Sequence, residues 1–195
     1  MIAIVKEDEH WLRFSEPLEI LQTACLDEVI PLLERAVKAD CYVVGWLSYE
    51  VAGAFDEALK TGPAGAVPLM AIGLFESVER LAVLPEPIGE GSLSGLEASV
   101  DERAFESAIH SIKEQIAAGA TYQVNYSYRL EGAFTGDAYG FFRSLVRGQH
   151  AAYAAYVELD NWVVCSASPE LFFRLKEGVL ESRPRRERRG EVERR

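Results

Sequence analysis

The residue best placed for chemistry in this sequence is a glutamate that follows an apolar run and a proline. The run reads WVVCSAS over residues 162–168, and Pro169 and Glu170 come directly after it. In a covered pocket a carboxyl at such a strand junction works as a general acid or base, and elsewhere it is a solvated turn residue. Both interpretations of Glu170 are open on the residues alone, and Ser168 is a candidate to support the same pocket.

A second polar pair lies in residues 121–130, which read TYQVNYSYRL. Apolar and polar residues alternate there, a pattern that predicts a β-strand. Gln123 and Asn125 are two residues apart, so they would share one face of that strand. Two amides on one face either bind a carboxylate or hydroxyl of a ligand or form an ordinary polar row in water, and the residues alone do not separate these readings.

Other common catalytic and metal-binding patterns are absent from the sequence. It contains no GxGxxG or GxxxxGK[ST] phosphate-binding loop. The three histidines and three cysteines are scattered, without the spacing of a zinc site. Sparse cysteines in a chain that begins without a signal peptide indicate a reducing compartment, so we expect a cytoplasmic protein.

The charge balance excludes further classes of partner. The 195 residues include 31 acidic and 20 basic side chains, for a formal net charge of -11. A negative field of this size disfavours nucleic acid and anionic lipid. No apolar run approaches the ~18–20 residues of a membrane-spanning helix. We therefore expect neither a nucleic-acid nor a membrane partner.

The periodicity of apolar residues predicts an α+β fold. Strands follow one another without strict alternation with helices, which favours antiparallel β-sheets flanked by helices over a doubly wound parallel sheet. Asp101 is a predicted N-cap and Gly119 a predicted C′ glycine. The predicted helices cover residues 27–39, 102–118 and 136–147, and the predicted strands cover 2–5, 41–49, 68–79, 121–130, 151–159, 162–168, 171–175 and 179–183. Residues 85–96 read as a surface connection and residues 50–66 as a loop with a short helix.

The motifs taken together resemble one family. A helix is followed by YQVN at residues 122–125, then by an aromatic-rich YAAY strand, by SASPELF at residues 166–172, and by a strand that ends in SRP. This combination resembles the chorismate-utilising enzymes, which include aminodeoxychorismate synthase component I and anthranilate synthase component I. The similarity covers about residues 100–184. It is weaker at residues 41–60, where GWLSYE resembles the short aminodeoxychorismate synthases.

The resemblance implies a sandwich of two antiparallel sheets flanked by helices, the anthranilate synthase component I-like fold. This chain would be the N-terminal half of that sandwich. Residues 1–85 would form its first αβ segment, residues 86–184 the start of the chorismate-binding domain, and residues 185–195 a basic tail. Uncovered sheet edges and apolar faces would then favour association or aggregation.

The resemblance also implies the chemistry. Family members bind chorismate with Mg²⁺, and in aminodeoxychorismate synthase ammonia from a glutamine amidotransferase subunit replaces the C4 hydroxyl. An aminodeoxychorismate lyase, fused or separate, is a further implied partner. Glu170 takes the role of the catalytic acid or base, and Gln123, Asn125 and Ser168 are implied as substrate-binding or pocket-supporting residues. The Mg²⁺ ligands belong to the family's C-terminal half and are absent from this chain.

The sequence departs from the family after Pro184, where the family has x-K-G-T and this chain has Arg-Arg-Glu-Arg. Deleting one base from a codon run for Met-Lys-Gly-Thr-Ala-Arg-Gly-Ser yields Arg-Arg-Glu-Arg-Arg-Gly-Glu-Val, which is residues 185–192 here. A shifted reading frame is therefore one interpretation of the tail. The other interpretation is a genuine basic arm.

We therefore expect a truncated aminodeoxychorismate synthase component I, a para-aminobenzoate and folate biosynthesis enzyme, that is inactive as this fragment. The lysine position that separates it from anthranilate synthase component I is lost, so an anthranilate synthase fragment stays open as the alternative. A non-catalytic binding or regulatory module is the alternative of a different class. The sequence does not determine the oligomeric state.

Overall fold

The computed structural model describes residues 1–63 and 65–183, and it confirms the predicted α+β class with antiparallel sheets. Every strand pairing among these residues is antiparallel. The strands are β1 (Ile2–Glu7), β2 (His10–Phe14), β3 (Glu19–Thr23), β4 (Tyr42–Leu47), β5 (Met70–Phe75), β6 (Glu79–Leu81), β7 (Gly91–Ala98), β8 (Leu130–Gly136), β9 (Tyr153–Leu159), β10 (Trp162–Ser168), β11 (Leu171–Lys176) and β12 (Val179–Arg183). The helices are α1 (Leu26–Lys38), α2 (Glu102–Ala117) and α3 (Ala138–Gln149), with a short 3₁₀ helix at Tyr49–Ala54.

The chain forms two compact units, and the residues of the second interrupt the sequence of the first. Unit 1 comprises residues 1–87 and the chain from residue 138 onward, and unit 2 comprises residues 88–137. Unit 1 holds a five-stranded sheet of order β10-β9-β1-β2-β6, a three-stranded sheet of order β3-β5-β4, and the β11-β12 pair. Unit 2 holds α2 and the β7-β8 pair. The domain boundaries expected from the sequence stay a prediction.

Alternating side chains of the strands build unit 1 as four layers. In β1, Ile4 packs with α3 while Ala3 packs towards the three-stranded sheet. In β5, Met70 packs with α1 while Phe75 packs towards the five-stranded sheet. Because successive strand residues point to opposite faces, one strand supplies two cores at once. The resulting order is helix, sheet, sheet, helix.

Each helix of unit 1 has one apolar face that covers a sheet. Val29 and Ala36, seven residues apart in α1, are both buried against the three-stranded sheet. In α3, Phe142 is fully buried and contacts the rings of Trp11 and Tyr156 on the five-stranded sheet. None of the helices in the described part of the chain is long and apolar enough to cross a membrane.

Unit 2 buries far fewer of its side chains than unit 1 does. Its helix α2 begins as predicted at Asp101, whose side chain accepts a hydrogen bond from the Ala104 amide. It ends as predicted at Gly119, which has a φ of 75°, and the amides of Gly119 and Ala120 donate to the carbonyls of Ile116 and Gln115. No residue of α2 is buried. Good local capping therefore sets the helix ends without a core beneath the helix.

Most predicted elements are confirmed, and two predictions are wrong. Residues 121–129 lie outside any strand, and the strand of this region is β8, which begins at Leu130. The sequence pattern predicts a surface connection over residues 85–96, but β7 begins within them, at Gly91. The periodicity of apolar residues also failed to predict the short strands β2, β3 and β6. The predicted basic tail, residues 185–195, lies outside the described residues.

We expect Phe142→Ala to lower the free energy of unfolding by about 3–5 kcal/mol, because it leaves a cavity among rings that cannot collapse. Urea unfolding followed by tryptophan fluorescence measures this change. Phe172→Ala is the matched control, since Phe172 is 87% exposed, and it should change the stability by less than about 0.5 kcal/mol. Equal losses for the two variants would contradict the assigned core.

Candidate functional site

The predicted catalytic glutamate lies in a tight junction between β10 and β11. The hydroxyl of Ser168 accepts a hydrogen bond from the Glu170 amide and donates one to the Glu170 carbonyl, both at 3.1 Å. Pro169 between them has no amide hydrogen, so the ladder of β10 cannot continue. Ser168 thus holds the backbone of Glu170, while the Glu170 side chain itself is exposed.

Beside this junction lies a pocket of about 330 Å³ on the five-stranded sheet. Ser166 and Ser168 of β10 border it, next to Tyr153 and Ala155, their ladder partners in β9. Its remaining lining residues come from β1, β2, β9 and β11, and they are Val5, Lys6, Glu7, Leu12, Ala154, Leu171 and Arg174. The sequence-predicted Ser168 is therefore a wall residue of this pocket.

The pocket combines apolar walls with a cation. The Arg174 guanidinium lies 3.3 Å from the carboxylate of Asp8, and both side chains are solvent-accessible. Lys6 also borders the pocket, but its ammonium donates to the Ala151 carbonyl at 2.8 Å. A guanidinium in this setting suits a carboxylate, which it can bind through two parallel hydrogen bonds. The arrangement fits a small molecule with an apolar part and a carboxylate group.

The two predicted amides lie in unit 2, and the prediction that they share one face of a strand is wrong. Gln123 and Asn125 are exposed and belong to an irregular segment. The carbonyl of Gln123 accepts a hydrogen bond from the Thr121 hydroxyl at 3.0 Å. Their role as pocket-supporting residues stays a prediction.

A larger pocket of about 690 Å³ lies at the start of α1, but it does not suit an anion. Its charged lining residues are Asp27, Glu50, Glu57 and Lys60, so acids prevail. It contains none of the sequence-predicted residues. We therefore place the candidate site at the smaller, Arg174-lined pocket.

Among the residues that the structure describes, no three carboxylate, imidazole or thiol side chains come together as a metal-holding group. The described part of the chain therefore does not fit the Mg²⁺ that the resemblance implies.

Sequence reasoning missed Arg174. It lies inside a strand with the pattern LFFRLK, where a lone arginine carries no signal. A register irregularity in the pairing with β12, between Leu171 and Arg174, sets its position. Such a bulge depends on the pairing of two strands and cannot be read from one of them.

Comparison with known proteins agrees with the motif analysis. The family model described as chorismate binding enzyme matches residues 5–184. The aminodeoxychorismate synthase component 1 of Klebsiella aerogenes is 32% identical over 91 residues, which are 47% of this chain and 20% of that protein. The enzyme of the same name from Bacillus subtilis is 33% identical over 87 residues, or 45% of this chain and 18% of the relative.

Anthranilate synthases match as well. The anthranilate synthase component 1 of Aquifex aeolicus is 36% identical over 80 residues, which cover 41% of this chain and 16% of that protein. The matched stretches thus span a fifth or less of the length of these curated relatives.

The thiol of Cys165 in β10 gives a pH-dependent probe of this region. Burial raises the pKa of Cys165 to about 11, so only about one thiol in a thousand is ionised at pH 8. Because the thiolate is the nucleophile, alkylation of Cys165 by iodoacetamide should speed up about tenfold per pH unit between pH 8 and 10. Peptide mass spectrometry resolves the sites, and the exposed Cys25 should react first at pH 8. Equal rates for the two thiols at pH 8 would contradict the packing of β10.

Proposed function

This chain belongs to the chorismate binding enzyme family, and we propose that it carries part of an aminodeoxychorismate synthase component 1. In this proposal the complete enzyme combines chorismate with ammonia to form aminodeoxychorismate and water, in para-aminobenzoate and folate biosynthesis. The identities to three enzymes of that name support it. The observation that carries it is the Ser168 clamp on Glu170 beside the Arg174 pocket, within the matched residues.

The pocket suggests how chorismate would lie. One carboxylate of the substrate would replace Asp8 as the partner of Arg174, and the ring would rest on Val5, Leu12 and Tyr153. Charge-assisted hydrogen bonds of this kind fix orientation as well as affinity. Apolar walls with a few placed polar groups are typical of small-molecule sites.

Glu170 would act on the leaving group. Its carboxyl would donate a proton to the C4 hydroxyl of chorismate, which departs as water while ammonia adds to the ring. Ser168 would position Glu170, because its hydroxyl already holds both backbone groups of that residue. The Glu170 side chain is exposed in this chain, and general acids work best in water-excluded sites. We therefore propose that this chain is inactive alone and needs further polypeptide to cover Glu170.

The same proposal assigns the remaining components. Mg²⁺ would be held by residues of the complete enzyme outside the described part of this chain, since that part offers no metal-holding group. Ammonia would come from a glutamine amidotransferase subunit, and a lyase would consume the product. The three cysteines are unpaired, which suits the reducing cytoplasm in which we place the protein.

Anthranilate synthase component 1 is the second candidate. The 36% identity to the Aquifex aeolicus enzyme, measured over 80 residues, supports this candidate. Aminodeoxychorismate and anthranilate differ in the ring position of the amino group, so the product of the complete enzyme separates the two.

We expect chorismate to bind this chain and Arg174→Gln to weaken that binding by about tenfold, because a charge-assisted contact is lost. Isothermal titration calorimetry with chorismate measures the change. Arg13→Gln is the matched control, since the side chains of Arg13 and Arg174 are equally exposed, at 39% and 38%. Arg13 pairs with Glu79 at a distance of 3.2 Å, and it does not line the pocket. No binding by the unmodified chain, or equal effects of both variants, would remove the pocket from the proposal.

We further expect the purified chain to form no aminodeoxychorismate from chorismate, ammonium and Mg²⁺, because Glu170 is uncovered and no metal-holding group accompanies it among the described residues. Chromatography of the reaction mixture detects the product. An aminodeoxychorismate synthase component 1 from Klebsiella aerogenes in the same assay is the positive control. Turnover by this chain at a comparable rate would refute the proposed inactivity.

A further inference from the structure

Arg174, the cation of the candidate site, is already in contact with an acid of the same chain. Its Nη2 atom donates a hydrogen bond to the Oδ1 atom of Asp8 at 3.3 Å. The other cation on the pocket wall, Lys6, donates to the Ala151 carbonyl. Within the described part of the chain, Asp8 is therefore the side chain that contacts the guanidinium which a ligand carboxylate needs.

The turn between β1 and β2 places Asp8 beside Arg174. The ladder of these two strands closes at the pair Glu7 and His10, so Asp8 and Glu9 form a two-residue turn. Asp8 has a φ of 51°, in the left-handed region, which aspartate, asparagine and glycine adopt more readily than other residues. A hairpin 166 residues away in the sequence thus supplies the partner of Arg174.

The contact between Asp8 and Arg174 is long and exposed. Its 3.3 Å exceeds the ~2.7–2.9 Å that is typical of a hydrogen bond between two charged groups. The Asp8 side chain is 73% exposed and that of Arg174 is 38% exposed. An exposed ion pair of this kind contributes little to stability, so it breaks at low cost. The contact therefore weakens the binding of a ligand without closing the pocket to it.

A carboxylate at Nη2 interferes with a second carboxylate whichever way the second one binds. A guanidinium offers two bidentate arrangements, end-on through both Nη atoms and side-on through Nε and Nη2. Nη2 belongs to both arrangements, and Asp8 contacts this atom. Two carboxylates on one guanidinium repel each other and share its charge. Asp8 must therefore move away before Arg174 can bind a ligand carboxylate at full strength.

We propose that Asp8 competes with the ligand carboxylate for Arg174 and thereby sets the affinity of the pocket for carboxylates. The proposal rests on the function proposed above in one respect, since that function assigns a ligand carboxylate to Arg174. It holds whichever carboxylate ring compound the pocket binds. Asp8 touches neither the reacting atoms nor the pocket wall, so it acts on binding through Arg174 alone.

A second acid near the pocket offers the competing explanation. Glu7 is a lining residue, but its carboxylate pairs with Arg80 at 3.2 Å. Both acids repel an anionic ligand through their electric field, whereas of the two only Asp8 contacts Arg174. Replacing each acid in turn therefore separates competition for the guanidinium from a general effect of negative charge.

The test is calorimetric titration of the full 195-residue chain with chorismate and, separately, with benzoate, a simple aromatic carboxylate. Asp8→Asn removes the charge, keeps the size and suits the left-handed backbone at this position. It should tighten the binding of both compounds by about two- to fivefold, because an exposed ion pair no longer has to be broken. Asp8→Gly removes the whole side chain and should tighten binding at least as much.

Three further variants are the controls. Glu79→Gln breaks a comparable exposed pair, with Arg13 at 3.2 Å, and should leave both affinities unchanged because neither residue lines the pocket. Glu7→Gln removes a negative charge from the pocket wall and should tighten binding by less than about twofold. The double variant Asp8→Asn with Arg174→Gln should bind no better than Arg174→Gln alone, because the gain requires the guanidinium.

The outcomes separate this proposal from the proposed function. Affinities that both Asp8 variants leave unchanged would overturn the role of Asp8, while a loss with Arg174→Gln would still support the pocket. Equal gains with Glu7→Gln and Asp8→Asn would assign the effect to the field and also overturn it. A gain for benzoate without any binding of chorismate would support the role of Asp8 and contradict the proposed substrate. No binding of either compound by any variant would refute both.

Discussion

Burial of both faces of the central strands is the constraint on which unit 1 depends. Ala3, Phe14 and Val157 of the five-stranded sheet meet Phe75 of the three-stranded sheet, and all four are almost completely buried. The opposite faces of the same strands are covered by α1 and α3. Each strand residue therefore faces a defined core, and a slip of one residue in register would move every side chain of the strand to the opposite face. This two-sided burial fixes the strand order and, through it, the position of the junction at Glu170.

Unit 2 shows what happens when that constraint is missing. Its strands and its helix are well formed locally, with a capped start at Asp101 and a left-handed glycine at Gly119. None of the described residues 88–137 is buried, and large apolar side chains such as Leu93, Phe105 and Phe134 are exposed. Strand propensity reflects packing against neighbours more than an intrinsic backbone preference. Residues 121–129 accordingly keep an alternating sequence without forming a ladder.

The candidate site lies where the β10 ladder of the five-stranded sheet ends. Pro169 ends the β10 ladder because it lacks an amide hydrogen, and Ser168 takes over the backbone groups of Glu170. β11 then returns the chain and brings Arg174 to the wall of the pocket. The carboxyl proposed to transfer a proton thus lies in the junction between β10 and β11, and the guanidinium proposed to bind a carboxylate lies four residues later, in β11. Because one short junction joins β10 to β11, Ser168, Glu170 and Arg174 lie within seven residues of the sequence.

The sequence by itself determined the α+β class, the helices, the strands that became β9 and β10, the caps of α2 and the junction at Glu170. Each of these depends on local periodicity, turn chemistry or a side chain's own backbone contacts. Only the tertiary structure decided three other features. It excluded residues 121–129 from a strand, it formed strands β2, β3 and β6, and it placed Arg174 beside Ser168. All three depend on partners distant in the chain. A strand exists only where another strand satisfies its backbone, and no single stretch of sequence states which partner that is.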